Sequence, residues 1–161
     1  MPAGGTPGGW GSNGCGQRGL GDTTDRSTFT AVPALPDGKV ANQCVAGDGD
    51  TLFLPAGGSL DVCGSNAFGQ LGLGDTTDRN TFTAVPALPV GKVAKQIVAG
   101  GGHTMILTED GTLFVCGHNG CGQLGLGDTT HRNTFTAVPA LPAGKVAKQI
   151  VAGDAHTMIL T

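Results

Sequence analysis

The sequence GQLGLGDTTDR at residues 69–79 decides the fold, because it returns almost unchanged at two other places in the chain. It reads GQRGLGDTTDR at 16–26 and GQLGLGDTTHR at 122–132, so both steps are 53 residues long. The identity extends outward, since the segment TFTAVPALP follows each motif after one intervening residue. The chain is therefore predicted to consist of three copies of one unit, at 3–55, 56–108 and 109–161.

Each copy contains four short segments that are typical of β-strands. Around the third copy they are the β-branched segment 93–99, the apolar runs 103–107 and 112–116, and the proline-terminated segment 134–138. Glu109-Asp110-Gly111 predicts a type I′ hairpin turn between the second and third strands, because Asp-Gly accepts positive φ angles. Gly or Pro interrupts nearly every candidate helix. Four short strands per repeat predict an all-β fold of β-propeller-type blades, each with four antiparallel strands.

The phase of the strands predicts a partial propeller with about three blades' worth of chain. Complete blades are expected at about 40–86 and 93–139, while 3–33 supplies only third and fourth strands and 146–160 only first and second strands. Both half-blades leave unpaired strand edges that another chain can pair with. Three interpretations remain open: a fragment of a longer propeller, which is favoured, a homo-oligomer that closes a ring through its terminal half-blades, or an open arc that is stable alone.

Composition excludes several classes of protein. Glycine makes up 30 of 161 residues, far above the typical ~7%, but it lacks the three-residue period of collagen. The chain is 39% apolar with a net charge of −3, so it should collapse rather than remain disordered. We see no signal peptide or membrane span, and the nine Lys and Arg form no basic footprint for nucleic acid. An intracellular location, cytoplasmic or nuclear, is expected, without a direct nucleic-acid or membrane partner.

Residue groups that could carry chemistry are better explained by packing. Five cysteines without a secretory signal do not indicate a disulfide framework. Cys63 and Cys116 share a repeat position that holds Trp10 in the first copy, which indicates packing. A metal site built on Cys116, His118 and Cys121 lacks a fourth ligand at zinc-ribbon spacing, and the glycine-rich motif does not match a phosphate loop. We therefore expect no metal, no cofactor and no catalytic residue.

Other repeated positions are expected to have structural roles. Cys44 aligns with Ile97 and Ile150 and should be buried as they are. His recurs at the start of the second strand, where it should make an architectural hydrogen bond, and the turn and loop residues should fix the backbone. The predicted structural residues are His103, His156, Asp110, Gly111, Gly69, Gln70, Gly122 and Gln123.

The third copy resembles the regulator of chromosome condensation repeat. It contains GGGHTMIL at 100–107, an Asp-Gly hairpin, a strand leading into GHN at 117–119, and GQLG at 122–125. The family pattern is G-x-x-H-t, a D-G hairpin, a strand ending in G-x-N, and then G-Q-L-G. The resemblance covers residues 3–161 and implies blades of a seven-bladed propeller. The founding member of that family is a nuclear exchange factor for the small GTPase Ran and binds chromatin, and many other members are protein-interaction scaffolds or regulators.

The chain also departs from this family pattern. Asp50 stands where His103 and His156 lie in the other copies, and Pro7, Gly8 and Gly9 replace an apolar strand. Three copies are too few for seven blades, and no copy carries the extra wedge that the exchange factor uses against its GTPase. The expected function is a non-enzymatic protein-interaction scaffold; the alternative is a guanine-nucleotide exchange factor or regulator for a Ran-like small GTPase.

Differences between the second and third copies point to a candidate binding surface. They differ at 11 positions, and six of these lie in the loops joining third to fourth and first to second strands. Alternate connections of an up-and-down blade share a face, and scaffolds place binding residues on such loops, although loops also tolerate change. The candidate binding residues on this loop face are Ser65, Phe68, Asp78, Arg79, His118, Cys121, His131, Arg132 and Asp154.

Overall fold

Four antiparallel sheets follow one another along the chain in a computed structural model that describes residues 7–33, 35, 38–56 and 59–161. Residues 3–6 at the start of the first predicted copy, and 57–58 near the start of the second, lie outside the described residues.

Twelve strands are present in these described ranges, and each sheet keeps its strands in sequence order. The first sheet pairs β1 (Gly8–Gly11) with β2 (Arg26–Ala31). The second contains β3 (Ala41–Ala46), β4 (Asp50–Pro55), β5 (Asp61–Gly64) and β6 (Arg79–Ala84). The third contains β7 (Ala94–Ala99), β8 (His103–Thr108), β9 (Leu113–Gly117) and β10 (Arg132–Ala137). The fourth pairs β11 (Gln149–Ala152) with β12 (Thr157–Leu160).

This arrangement confirms the predicted blade type and phase. Two complete four-stranded blades are flanked by a half-blade of third and fourth strands and a half-blade of first and second strands. A short 3-10 turn at Pro142–Gly144 lies between β10 and β11.

The hydrophobic core lies between consecutive blades. One cluster joins residues of the second sheet, such as Leu52 and Val62, to Ile97 and Phe114 of the third. A second cluster joins the third sheet to Ile150 of the last half-blade. Strands β8 and β9 are buried along their whole length, which explains why their sequences are continuous apolar runs rather than alternating ones.

The repeated glycine-rich loop forms hydrogen bonds with the neighbouring blade. The N–H of Gly74 donates to the carbonyl of Asn133 at 2.8 Å, and Asn133 Nδ2 donates back to the carbonyl of Gly74 at 3.2 Å. Gly69 has a φ of 80°, and a Cβ there would lie 2.4 Å from the Cα of Asn133. The motif therefore requires glycine both for its backbone angle and for the close approach of the next blade.

The hairpin turn between β8 and β9 forms where it was predicted, but its predicted type is wrong. Gly111 has a φ of 82°, whereas Asp110 does not have the positive φ that a type I′ turn requires. The N–H of Gly111 donates to Thr108 and the N–H of Thr108 donates to Thr112, both at 2.9 Å. Three residues, 109–111, therefore lie between the paired strand ends, which is one more than a type I′ turn contains. The last of them, Gly111, adopts the left-handed conformation.

The predicted third strand of the first half-blade is present although Pro7, Gly8 and Gly9 stand where the third copy has apolar residues. Gly8 and Gly9 pair with Ala31 and Thr30 in β1, so backbone pairing persists without apolar side chains. Most of β1 is exposed.

The expected burial of Cys44 is also wrong. Ile97 and Ile150 are fully buried, whereas Cys44 is exposed. Ile97 lies on β7, which packs against β3 and β4 of the preceding blade. The half-blade before Cys44 contains only β1 and β2, so no first or second strand covers this face.

Candidate binding surface on one rim

Three aromatic rings from two loops meet on one rim of the structure. Phe68, in the loop after β5, forms T-shaped contacts with His118 and His131, with ring centroids 4.6 and 5.4 Å away. The two histidines come from the loop after β9, and their own centroids are 4.6 Å apart. We call Phe68, His118 and His131 the Phe68 cluster. The structure thus brings three of the sequence-predicted candidates together across a blade boundary.

Buried asparagines hold both loops. Asn119 is fully buried, and its Nδ2 donates to the carbonyls of Asp128 and Thr130 at 3.0 and 3.1 Å. Its Oδ1 accepts from the N–H of Leu124 at 3.0 Å. Asn66 makes the equivalent contacts one blade earlier. Side chains at this rim therefore project from loops that are fixed from inside.

His131 accepts the backbone hydrogen bond that an aspartate accepts in the other copies. The backbone N–H of Asn66 donates to Asp78 Oδ1 at 2.7 Å, whereas the N–H of Asn119 donates to His131 Nδ1 at 3.0 Å. A backbone N–H is only a donor, so His131 Nδ1 accepts and, in the neutral ring, the proton lies on Nε2.

His118 is fixed in the same tautomer. Gln123 Oε1 accepts from the N–H of Cys121 at 2.9 Å, and this contact sets the orientation of the Gln123 amide. Gln123 Nε2 therefore donates to His118 Nδ1, at 2.7 Å. Ser65 occupies the equivalent position one blade earlier and has only a long 3.4 Å contact with Gln70.

The two candidate arginines are partly engaged by their own loops. Arg132 forms an ion pair with Asp128 at 2.7 Å and donates to the carbonyl of Thr130 at 2.6 Å. Arg79 pairs with Asp75 at 2.7 Å in the same way. The hydrogen bond from each arginine is the main cause that lowers the pKa of Asp75 and Asp128.

The remaining candidates lie at the margin of the cluster or outside it. Cys121 is exposed beside the glutamine contact. Asp154 lies in the loop between β11 and β12, where its carbonyl accepts from the N–H of Gly101 at 3.0 Å. It therefore faces the neighbouring loop that joins β7 to β8.

The predicted structural residues lie at contacts between elements. His103 is buried and its Nε2 donates to Thr157 Oγ1 at 3.2 Å, since that hydroxyl itself donates to the carbonyl of Gln123. Burial is the main cause that lowers the pKa of His103 and so favours the neutral ring, whose Nδ1 has no hydrogen-bond partner. His156, at the same repeat position, is exposed.

The turn and loop positions hold the backbone. Asp110 accepts hydrogen bonds from Lys92, Thr108 and Thr112, which hold the pKa of its carboxyl well below its usual range. Gly122 repeats the positive φ of Gly69, at 76°.

Sequence reasoning missed the consequence of Asp50. This residue is buried in place of the repeat's histidine, and both its Oδ2 and the hydroxyl of Thr104 lack a hydrogen-bond partner. Thr104 corresponds to Thr157, so a side chain shorter than histidine leaves two polar groups unpaired at one blade boundary. Burial raises the pKa of Asp50 to about 7. The substitution is visible in the repeat alignment, but its burial is not.

Two further findings concern metals and membranes. In the described ranges, no group of three His, Cys, Asp or Glu side chains is arranged to hold a metal ion. Cys116 Sγ is buried and donates to the carbonyl of Gln70. No helix in the same part of the chain is long and apolar enough to cross a membrane.

The family model described as Regulator of chromosome condensation (RCC1) repeat matches residues 58–107 and 110–160. The human X-linked retinitis pigmentosa GTPase regulator is 44% identical over 117 residues, which are 73% of this chain and 11% of that protein. The bovine Secretion-regulating guanine nucleotide exchange factor is 39% identical over 67% of this chain and 23% of its own length. The Arabidopsis thaliana Ultraviolet-B receptor UVR8 is 34% identical over 92% of this chain and 33% of its own length. The chain thus spans a third or less of these relatives.

Solved structures show the same fold. Prp20p from Saccharomyces cerevisiae, described with its binding properties to Gsp1p and histones, superposes with a TM-score of 0.82 at 20% identity. The match covers 93% of this chain and 38% of Prp20p. Human WBSCR16 gives a TM-score of 0.77 at 23% identity, over 92% of this chain and 38% of its own. At these identities the likeness concerns the fold alone.

Proposed function

The chain belongs to the regulator of chromosome condensation repeat family, and from this premise we propose that it is a non-enzymatic protein-interaction scaffold. Residues 3–161 act as one segment of such repeats in this proposal. The Phe68 cluster is the observation that carries it. A partly exposed phenylalanine and two histidines project from loops fixed by buried asparagines, and these residues differ between copies whose strands are nearly identical. Rigid elements that present variable loop side chains are typical of binding surfaces.

A site-specific cross-linking experiment tests the scaffold function. Phe68 is replaced with the photoreactive residue benzoylphenylalanine, and Val90, which is fully exposed between β6 and β7, is replaced in the same way as the control. We expect defined protein adducts from position 68 that the double variant His118→Ser, His131→Asn abolishes. Adducts that are the same from positions 68 and 90, or none from position 68, would contradict the proposal.

Guanine-nucleotide exchange on a Ran-like small GTPase is the second candidate function. It is favoured by the similarity to the bovine exchange factor and by the fold shared with Prp20p, which was studied with Gsp1p. Release of fluorescent GDP from a Ran-like GTPase separates the two functions. The scaffold function predicts an unchanged release rate with excess chain present, whereas an increase of tenfold or more would establish exchange.

We expect protein partners in the cytoplasm or nucleus, with a small GTPase among the candidates. Pairing of the half-blades with a second copy of the chain is a further partner interaction that the exposed strand edges support.

A further inference from the structure

His118 and His131 present two N–H donors at one place. Each Nδ1 already accepts a hydrogen bond, from Gln123 at 2.7 Å and from the N–H of Asn119 at 3.0 Å. Each neutral ring therefore carries its proton on Nε2. The ring centroids are 4.6 Å apart and the planes are tilted by 34°, so the two donors belong to one surface.

The surroundings add further donors and an apolar wall. An open depression of about 260 Å³ beside His131 is bounded by Phe68, Thr76 and Arg132 among others. Arg132 uses two of its five N–H groups within its loop, and its positive charge offsets the negative charge of Asp128. Phe68 is 39% exposed and provides the apolar part of the surface.

We propose that the Phe68 cluster binds a side-chain carboxylate in an acidic segment of a partner protein. This inference rests on the proposed scaffold function and names the chemistry of its partner. An ionised carboxylate only accepts hydrogen bonds, and its two oxygens suit a pair of N–H donors. Hydrogen bonds to a charged acceptor are stronger than neutral ones. An apolar residue next to the acidic one packs against Phe68.

The same hydrogen bonds disfavour a transition-metal ion at this pair. A metal ion bound at Nε2 needs the lone pair of that atom, so the ring proton must move to Nδ1. There it faces the N–H of Asn119 or the amide of Gln123, both of which are donors. A carboxylate leaves both internal hydrogen bonds intact.

Gly120 keeps the edge of His118 open. A Cβ at Gly120 would lie 3.1 Å from His118 Nε2, and the backbone there does not have a positive φ. The second copy carries Ala67 at this position, beside a serine instead of a histidine. Gly14 holds the same position in the first copy, and a Cβ there would have nothing within 4 Å. Gly14→Ala is therefore the matched control for Gly120→Ala.

The probe is a fluorescent six-residue peptide of alternating Glu and Leu, compared with the same peptide in which Gln replaces Glu. Fluorescence anisotropy with the full chain at pH 7.5 should show at least tenfold weaker binding of the Gln peptide. His118→Ser with His131→Asn should remove this preference, because Asn still accepts from Asn119 but neither residue offers the imidazole N–H. Gly120→Ala should weaken binding of the Glu peptide severalfold, and Gly14→Ala should not.

Equal binding of the two peptides, or a preference that survives in the double variant, would overturn the carboxylate site. The shift of the two histidine Nε2 signals on addition of the Glu peptide, followed by nitrogen-15 NMR, gives a second measurement that does not depend on variants. Unshifted signals at saturating peptide would likewise overturn it. Cross-linking through position 68 without any preference for Glu would reject this inference and leave the scaffold function standing.

Discussion

At the boundary between the two complete blades, Asp50 occupies the position that His103 holds one blade later. His103 donates to a threonine of the following sheet and leaves only its own Nδ1 unpaired, whereas Asp50 leaves both its Oδ2 and the hydroxyl of Thr104 without partners. An unpaired buried polar group costs about 1–3 kcal/mol, so this boundary is weaker than the next one. The difference arises from one residue, because the threonine is the same in both copies.

Asp50 predicts a specific pH dependence of stability. Its pKa is about 7 in the folded state and near 3.8 in an unfolded chain, so the folded state binds more protons between these values. The contribution of Asp50 to the free energy of unfolding is therefore fully present below pH 4 and is lost as pH rises to about 7. Each pKa unit corresponds to about 1.4 kcal/mol, which makes the total loss several kcal/mol.

Urea unfolding between pH 4.5 and 8 checks this prediction. Asp50→Asn cannot ionise, so it should lack this decline and should be more stable than the unchanged chain at pH 8. Parallel stability curves for the two proteins would show that Asp50 is not the titrating group.

A second residue-scale prediction concerns two lysines at the same repeat position. Lys39 Nζ lies 3.2 Å from both oxygens of the fully buried Asp61, whereas Lys92 pairs with the half-exposed Asp110. Removing one partner of a buried ion pair costs about 3–5 kcal/mol, because the remaining charge stays in the interior. Lys39→Met should therefore destabilise the chain strongly, and Lys92→Met much less. Thermal or urea unfolding of both variants measures the contrast, and equal losses would contradict it.

At the scale of elements, the sequence predicts those strands whose side chains are buried on both faces. Strands β8 and β9 are continuous apolar runs. The alignment of the three copies then indicates where the corresponding strands lie elsewhere in the chain. Strand β1 has no such signal, because its Gly-Gly sequence pairs only through the backbone. The turn between β8 and β9 was located from Asp-Gly, but its type depends on the number of residues between paired strand ends.

The sequence predicts which residues belong to the candidate site, but not that their side chains lie together. Differences between copies identified Phe68, His118 and His131, yet their stacking joins loops from two blades and depends on distances that no spacing along the chain contains. Asp61 was missed for a related reason. It replaces Phe114 in the alignment, and only the fold shows that Lys39, 22 residues earlier, approaches it.

Uneven stability of the strands is the element-scale prediction. Strand β1 is mostly exposed and pairs with one neighbour, whereas β8 is buried and pairs with two. Exposed elements with few apolar contacts open locally at low free energy. Hydrogen exchange followed by mass spectrometry should show fast exchange at 8–11 and slow exchange at 103–108. Equal protection of the two segments would contradict this ranking.

At the scale of the whole molecule, the two half-blades expose surfaces that the complete blades bury. Met158 and Leu160 are both 61% exposed, whereas Met105 and Leu107 at the same repeat positions are buried. Trp10 and Phe29 are similarly exposed on the first half-blade. The half-blades are complementary, because one contains third and fourth strands and the other first and second strands. A complete blade could therefore form between two copies of the chain.

A polypeptide of these 161 residues should accordingly self-associate. Pairing within one chain would require about three blades to close into a ring, fewer than the roughly four to eight of β-propellers. Pairing between two chains gives six blades, which falls within that range, and a head-to-tail contact that fails to close continues as a filament. Light scattering on a chromatographic peak at tens of micromolar should give masses well above the 15.9 kDa of one chain. Met158→Lys with Leu160→Lys should restore the monomer, because charge on this face opposes burial against a second copy. A monodisperse mass near that of one chain for the unchanged sequence would instead show that the open arc is stable alone.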